Sequence, residues 1–194
     1  MTRAVPRRAL LLWTGFAVAA MCVLGWAVGK QSTPIDDWFH GFGRSPAKEM
    51  LVFTDPWLLG LLLAAGVGVA LRRRRWRLGV VIATAPLVAI VVARTLKSLF
   101  GREKDGSLAY PSGHTTVAVV VVGMIVLVAG ARTWALVAAA VYVVLGMIGQ
   151  GVTYHYFTDT VGALLLGSAV VCVAAAVAKL DTRQPACDVD HTCR

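Results

Sequence analysis

The sequence predicts an all-α membrane protein, a bundle of six transmembrane helices with a short helix at the outer interface. Three observations lead to this prediction. The chain of 194 residues has 58% hydrophobic residues and a mean hydropathy of +0.72, which is more apolar than a soluble domain of this size. Six segments are apolar enough to be membrane spans of about 20 residues. Positive charges cluster beside these segments.

The predicted spans follow one another with short connections, so neighbouring helices should be antiparallel. They cover residues 9–29, 50–71, 78–93, 115–131, 134–151 and 160–178. The third is short unless Arg94 and Thr95 extend it. We expect Pro56 to mark the start of the regular helix in the second span, and Pro86 to kink the third.

The first span follows the basic sequence MTRAVPRR and in that respect resembles a signal peptide. Its apolar run exceeds the roughly 7 to 15 residues usual for such a peptide, so we interpret it as a retained span. Residues 34–45 combine three aromatic side chains with two aspartates, a spacing suited to a short helix lying in the outer interface. With no internal repeat, we expect one domain over residues 1–180 and a short cytoplasmic tail over residues 181–194.

The formal net charge of +9 could indicate nucleic-acid binding or membrane topology. Topology is favoured because the basic residues flank the apolar segments, above all in RRRRWR, residues 72–77. By the positive-inside rule, this loop, the 131–134 loop and both termini face the cytoplasm. The loops at 95–114 and 152–159, which hold most remaining polar residues, then face outside with the 30–49 loop. We therefore expect a multi-pass protein of the cytoplasmic membrane that binds no nucleic acid.

The cysteines do not indicate a metal site. Cys22 and Cys172 fall in spans, and Cys187 and Cys193 fall in the tail. With His191 the tail cysteines could in principle bind zinc, but a closed site needs a fourth ligand and the spacing matches no standard pair. We expect neither a metal nor another cofactor, and a reduced tail.

The loop after the third span is strongly basic. One basic residue there would be explained by a side chain reaching the interface from a helix end. Several on the outer side run against the positive-inside rule, and so favour an anionic ligand such as phosphate. The four candidates are Arg94, Lys97, Arg102 and Lys104.

The sequence YPSGHTT precedes the fourth span. Backbone N–H groups at Ser112 and Gly113, together with the helix dipole, would make an anion site there. His114 follows within reach of that anion, and an imidazole can donate a proton to a leaving oxygen near neutral pH. A structural histidine at a helix start is the alternative for this residue taken alone.

The sequence TYHYFTDT supplies a second histidine. His155 and Asp159 are four residues apart, which on one helix face would let the carboxylate hold one ring nitrogen and leave the other free as a nucleophile or base. A structural pair is again the alternative. A second histidine and four cations in loops on the same side favour catalysis.

These residues resemble the motifs of the phosphatidic acid phosphatase type 2 superfamily. The family's second motif, Pro-Ser-Gly-His, is complete at residues 111–114. Its first motif is a Lys, six residues, then Arg-Pro; Lys97 fits, but Lys104 and Asp105 stand at the Arg and Pro positions.

The family's third motif is Ser-Arg, five residues, His, three residues, Asp. His155 and Asp159 fit it, whereas Ile148 and Gly149 stand in place of Ser-Arg. The resemblance covers most of the chain, including the six-span layout.

The resemblance implies a metal-free phosphohistidine mechanism. His155 would attack phosphorus with the support of Asp159, His114 would protonate the leaving oxygen, and water would then release phosphate. The basic candidates, with Ser112 and Gly113, would hold the phosphate. For the missing third-motif arginine we hypothesise that Arg94 and Arg102 substitute, with Arg102 the closer to phosphate.

A site between spans at the outer surface favours a substrate whose tail stays in the bilayer. Diacylglycerol phosphates, polyprenyl phosphates or pyrophosphates, and polyprenyl-linked phosphosugars all satisfy this requirement. A short chain without a large outer domain inclines the prediction towards a cell-envelope polyprenyl carrier. Two alternatives remain open: a lipid phosphotransferase using the same intermediate, and a non-catalytic lipid-phosphate binder or transporter. A haloperoxidase is less favoured, because that fold would be soluble.

Overall fold

The computed structural model describes residues 6–178, and within this range the chain is all-α apart from one two-stranded hairpin. The elements are α1 (Arg7–Val28), α2 (Pro34–His40), a 3₁₀ segment (Pro46–Thr54), α3 (Pro56–Arg72), α4 (Trp76–Phe100), β1 (Glu103–Lys104), β2 (Ser107–Leu108), α5 (Gly113–Val128), α6 (Thr133–Val152) and α7 (Phe157–Val177). The predicted tail, including the zinc-ligand candidates Cys187, His191 and Cys193, lies outside the described residues.

Among the described residues, five helices are long and apolar enough to cross a membrane. They are α1, the 3₁₀ segment continued by α3, α4, α6 and α7. The predicted fourth span is α5, which is apolar but has only 16 residues. It lies at the centre of the bundle, where α3, α4, α6 and α7 pack around it and bury the run Val119 to Val122. The prediction of an all-α bundle is confirmed, and five of the described helices are long and apolar enough for the predicted membrane spans.

The helices alternate in direction between two ends of the bundle. One end, which we call the arginine end, carries the α3–α4 loop. There Nη1 of Arg73 donates to the carbonyl of Val128 at 2.9 Å and joins this loop to the end of α5. At the other, the polar end, the N–H of Ser112 donates to the carbonyl of Asp159 at 3.1 Å and joins the starts of α5 and α7. Helix α5 therefore runs from the polar end to the arginine end.

The six tryptophans are all exposed and fall into two groups, one towards each end of the bundle. Trp13, Trp76 and Trp134 lie in the half nearer the arginine end, and Trp26, Trp38 and Trp57 lie near the polar end. Tryptophan is enriched at both interfaces of a membrane, where its ring meets apolar and polar surroundings together. This distribution supports a bundle that crosses a bilayer.

Several local predictions can be compared with the helix bounds. Pro56 begins α3 as predicted, with Asp55 as the N-cap, and a short helix forms within residues 34–45. The third span was predicted too short, because α4 continues from Trp76 to Phe100 with Pro86 inside it. The extension puts Arg94 and Lys97 on a helix, one turn apart.

The segment that leads into α5 is anchored to the first and last helices by Tyr110. This side chain is fully buried, and its hydroxyl donates to the carbonyl of Met21 at 2.5 Å. A β-carbon at Gly25 or at Gly162 would stand 2.6 or 2.5 Å from a ring atom of Tyr110, so only glycine leaves room for the ring at both positions. The start of α5 is thereby fixed against α1 and α7.

Candidate active site

A cavity of about 590 Å³ lies among α3, α4 and α5 and extends from the polar end towards the middle of the bundle. Five of the predicted site residues line it: Arg94, Lys97, Gly113, His114 and His155. Most of the remaining wall is apolar and includes Leu59, Leu63, Pro86, Leu87, Ile90 and Val121. Cations and imidazoles are therefore gathered at the polar end of a space whose deeper part is apolar.

The two cations of the cavity come from α4. Lys97 is half-buried, and its Nζ donates to the carbonyl of Leu108 at 2.7 Å, which ties the helix to the hairpin. Arg94 is exposed and lies one turn deeper along the same helix. Within residues 6–178 its guanidinium has no side-chain hydrogen bond or ion pair, so an anion in the cavity would be its first charged partner.

The start of α5 presents backbone donors to the cavity. Ser112 is the N-cap: its Oγ accepts from the N–H of Thr115 at 3.4 Å, and its carbonyl accepts from Thr116 at 3.0 Å. Its own N–H donates to the carbonyl of Asp159 and it does not line the cavity, so the expectation that Ser112 binds phosphate is corrected. The N–H groups of Gly113 and His114, at the first two helical positions, have no acceptor within the helix. No atom lies within 4 Å of the place where a β-carbon of Gly113 would stand, so a ligand can approach this backbone closely.

His155 and Asp159 are close, but not as predicted. Helix α7 begins at Phe157, so the two residues do not share a helix face. Asp159 lies in the first turn, where its Oδ2 accepts from the N–H of Tyr156 at 3.1 Å. Its distance to Nδ1 of His155 is 3.7 Å, too long for a hydrogen bond, and Nδ1 is buried without a hydrogen-bond partner among the described residues. The ring thus faces the carboxylate without being locked by it.

Arg102 is placed behind this pair and does not line the cavity. Its side chain is fully buried, with Nη1 donating to Asp159 at 2.8 Å and Thr158 at 2.7 Å. Nη2 donates to Asp36 at 2.9 Å and to the carbonyl of Gln31 at 2.7 Å. These bonds use all four N–H groups of the terminal nitrogens. The expectation that Arg102 binds phosphate and replaces the missing arginine is therefore corrected.

Lys104 is likewise turned away from the cavity. Its Nζ donates to the carbonyls of Thr153 and His155, both at 3.0 Å, and it lies 5.2 Å from the centre of the Tyr156 ring. Burial lowers the pKa of Lys104. Lys104 therefore holds the loop before α7. The expectation that it binds phosphate is corrected.

Asp36 is the residue that sequence reasoning missed. It is fully buried although it lies on a short helix expected at the interface. Burial raises the pKa of Asp36, but hydrogen bonds from Thr158, Thr33 and Arg102 outweigh this effect and hold the pKa below its usual value. The Thr33–Asp36 spacing is that of a capping box and signals a helix start. Nothing in that spacing signals a buried contact with Arg102.

Gly149, at the position of the family's third-motif arginine, packs against the 3₁₀ segment. A β-carbon there would stand 2.5 Å from the nitrogen of Leu51 and 2.5 Å from the carbonyl carbon of Met50. The adjacent Gln150 donates from Nε2 to Thr54 Oγ1 at 2.7 Å and fixes the same contact. The space that a side chain at Gly149 would need is filled by backbone, so an arginine could not be accommodated at this position.

Within residues 6–178, no group of three or more His, Cys, Asp and Glu side chains is arranged to hold a metal ion. Comparisons of the chain with protein-family models, with curated proteins and with solved structures give no match. Function is therefore inferred from the cavity and its side chains.

Proposed function

We propose that this protein is a membrane phosphatase that hydrolyses a lipid phosphate or pyrophosphate, of the polyprenyl-linked or diacylglycerol type, through a phosphohistidine intermediate. One observation carries the proposal: His114, His155, Arg94 and Lys97 line a single cavity whose remaining wall is mainly apolar. A soluble anion would use only the polar part of such a space. A lipid with a phosphorylated head would use both parts.

In the proposed reaction, Nε2 of His155 attacks phosphorus while the bond from phosphorus to the leaving oxygen breaks. His114 donates its proton to that oxygen, so the lipid leaves as a neutral alcohol or as a monophosphate. Water then attacks the phosphohistidine, His114 accepts its proton, and the N–P bond breaks to release phosphate. Asp159 lies behind His155, and its Oδ2 can accept a hydrogen bond from Nδ1–H once the 3.7 Å separation shortens on substrate binding.

The charge that gathers on the phosphoryl oxygens would be stabilised by α4 and by the start of α5. Lys97 and Arg94 supply two cations, and the N–H groups of Gly113 and His114 supply two neutral donors. Arg94 has no protein carboxylate to neutralise it within the described residues, and an unpaired charge on a membrane span is costly. A phosphate in the cavity would remove that cost.

We further propose six crossings, with the site outside the cell and both termini in the cytoplasm. Helix α5 would be the sixth crossing; its 16 residues rise about 24 Å, but lipid does not surround it because four helices do. The orientation follows from the positive-inside rule, since the basic α3–α4 loop lies at the end opposite the cavity.

A non-catalytic lipid-phosphate binder is the second candidate, and two observations favour it. Gly149 has no room for an arginine, and His155 lacks a hydrogen bond to Asp159. Binding needs cations but not two imidazoles facing one space, which supports catalysis. A phosphotransferase would differ from the hydrolase only in the acceptor, and adding a lipid alcohol to the assay would reveal the transferred product.

Phosphate release by protein purified in detergent tests the proposal, with a panel of diacylglycerol and polyprenyl phosphates and pyrophosphates as substrates. We expect release that survives EDTA and is inhibited by vanadate, which imitates five-coordinate phosphorus. Binding of the same lipids without turnover of any of them would establish the binder instead. Loss of activity in EDTA and its recovery with magnesium would contradict the mechanism.

A further inference from the structure

We propose that Asp36 is a positioning residue for the His155–Asp159 pair and that it acts through Arg102. The inference rests on the proposed function, in which His155 is the nucleophile. Asp36 does not line the cavity and touches no substrate, so its effect on the reaction would be indirect.

The geometry is that of one guanidinium shared by two carboxylates. Arg102 places Nη2 on Asp36 of α2 at 2.9 Å and Nη1 on Asp159 of α7 at 2.8 Å. All three side chains are fully buried. Thr158 reinforces the arrangement, because its N–H and its hydroxyl both donate to Asp36, at 2.9 and 3.0 Å. The network therefore links α2 to the first turn of α7 directly behind His155.

Asp36 restricts how Arg102 can bind Asp159. A guanidinium facing one carboxylate prefers two parallel hydrogen bonds, one to each oxygen. Because Asp36 engages Nη2, Arg102 reaches only Oδ1 of Asp159, through Nη1. The other oxygen, Oδ2, keeps only the N–H of Tyr156 and faces Nδ1 of His155. Without the charge of Asp36, Nη2 would keep only the carbonyl of Gln31 as a partner, and its other N–H could turn towards Asp159 and compete for Oδ2.

The oxygen that faces His155 determines which ring nitrogen carries the proton. The negative oxygen that faces Nδ1, even at 3.7 Å, favours a proton on that nitrogen and so favours the tautomer whose Nε2 has a free lone pair, which is the form able to attack phosphorus. If Arg102 occupied Oδ2, the Nδ1–H tautomer would lose this support and the population with a proton on Nε2 would rise. Asp36 thus keeps His155 in its reactive form from a position outside the cavity.

The test compares Asp36→Asn with the matched control Asp37→Asn. Both changes remove one negative charge from α2, but Asp37 is exposed. For Asp36→Asn we expect kcat to fall roughly 10- to 100-fold with KM unchanged, and we expect Asp37→Asn to keep parental values. If the network served stability alone, Asp36→Asn would lower the folded fraction but leave kcat per folded molecule unchanged.

Nitrogen NMR of protein labelled with ¹⁵N-histidine gives a readout that does not need turnover. The Nδ1–H tautomer of His155 should dominate in the parental protein and in Asp37→Asn, and should decrease in Asp36→Asn. If no lipid phosphate is hydrolysed but the tautomer shifts as stated, the proposed function fails while the positioning role stands. Parental kcat per folded molecule and a parental tautomer in folded Asp36→Asn would overturn the inference.

Should Asp36→Asn fail to fold, Thr158→Val decides the question. It removes the hydroxyl shared by Arg102 and Asp36 but keeps every charge of the network. Nη1 would then bind Asp159 alone. Both kcat and the population of the Nδ1–H tautomer should therefore fall, as in Asp36→Asn, but by a smaller amount. Parental kcat and tautomer in this variant would also overturn the inference.

Discussion

Gly149 of α6 lies so close to the main chain of Leu51 that a β-carbon on Gly149 would stand 2.5 Å from the Leu51 nitrogen. A backbone atom cannot swing aside as the end of a side chain can. We therefore expect Gly149→Ala to lower the free energy of unfolding by about 1–3 kcal/mol through overpacking, and Gly149→Arg to prevent folding.

Gly68→Ala on α3 is the matched control, because no atom lies within 4 Å of the β-carbon it would add. Alanine is the better helix former, so this variant should be as stable as the parent or slightly more so. Thermal unfolding in detergent measures both changes. Equal stability of the two alanine variants would contradict the packing described for the 3₁₀ segment.

Replacing the histidines should separate catalysis from folding. His155→Ala removes the proposed nucleophile and should abolish phosphate release, whereas His114→Ala removes the general acid and should lower kcat about 10²- to 10⁴-fold. His40→Ala, which changes an exposed histidine outside the cavity, should keep full activity. A folded His155→Ala variant with more than a few per cent of parental activity would refute the phosphohistidine.

Arg94→Lys should damage turnover more than substrate binding. The planar guanidinium can hold two phosphoryl oxygens as negative charge accumulates, and an ammonium group cannot reproduce this geometry. We expect a clear fall in kcat with little change in KM. Arg77→Lys, at the arginine end, is the control and should behave as the parent. Near-parental kcat in Arg94→Lys would assign Arg94 to the membrane interface and not to phosphate.

Acid should weaken the link between α2 and α7. Burial raises the pKa of Asp36, but its hydrogen bonds lower it further, so the folded value lies below 3.8. The stability contributed by this carboxylate is therefore fully present above the unfolded pKa and is lost as the pH falls through the folded one. The difference in Tm between the parent and Asp36→Asn should be constant above about pH 5 and shrink below about pH 4. A difference that persists unchanged at pH 3 would contradict this.

Orientation can be measured with single cysteines in a background without native cysteines. Ser107 on β2 and Arg74 in the α3–α4 loop are both exposed and lie at opposite ends of the bundle. In intact cells, an impermeant thiol reagent should label Ser107→Cys and leave Arg74→Cys unlabelled. The reverse pattern would invert the proposed topology.

That the polar residues of the cavity meet at one end of the bundle could be predicted, because they lie at or near the ends of helices. His114 follows an N-cap, and Lys97 occupies the last turn of α4. Short connections between antiparallel helices bring such positions to one end of a bundle, whichever way the loops fold in detail. Spacing along the chain was sufficient to predict that these residues meet at one end of the bundle.

Which basic residues face the cavity could not be predicted in the same way. Lys97 and Arg102 are basic residues of one short stretch, yet one faces the cavity and the other is buried behind it. The difference is made by Asp36, which is 66 residues from Arg102 in the sequence. Likewise, the contact that excludes a side chain at Gly149 comes from Met50 and Leu51, and no local pattern records it.

Tyr110 has a consequence for how the protein is made. Its ring rests on Gly25 of α1, which is synthesised early, and on Gly162 of α7, which is synthesised after α6. The segment carrying His114 can therefore reach its final position only after the ribosome has delivered α7 to the membrane. A chain that stops after α6 would hold the segment before His114 through α1 alone and would also lack His155, so under the proposed function it would not hydrolyse lipid phosphates.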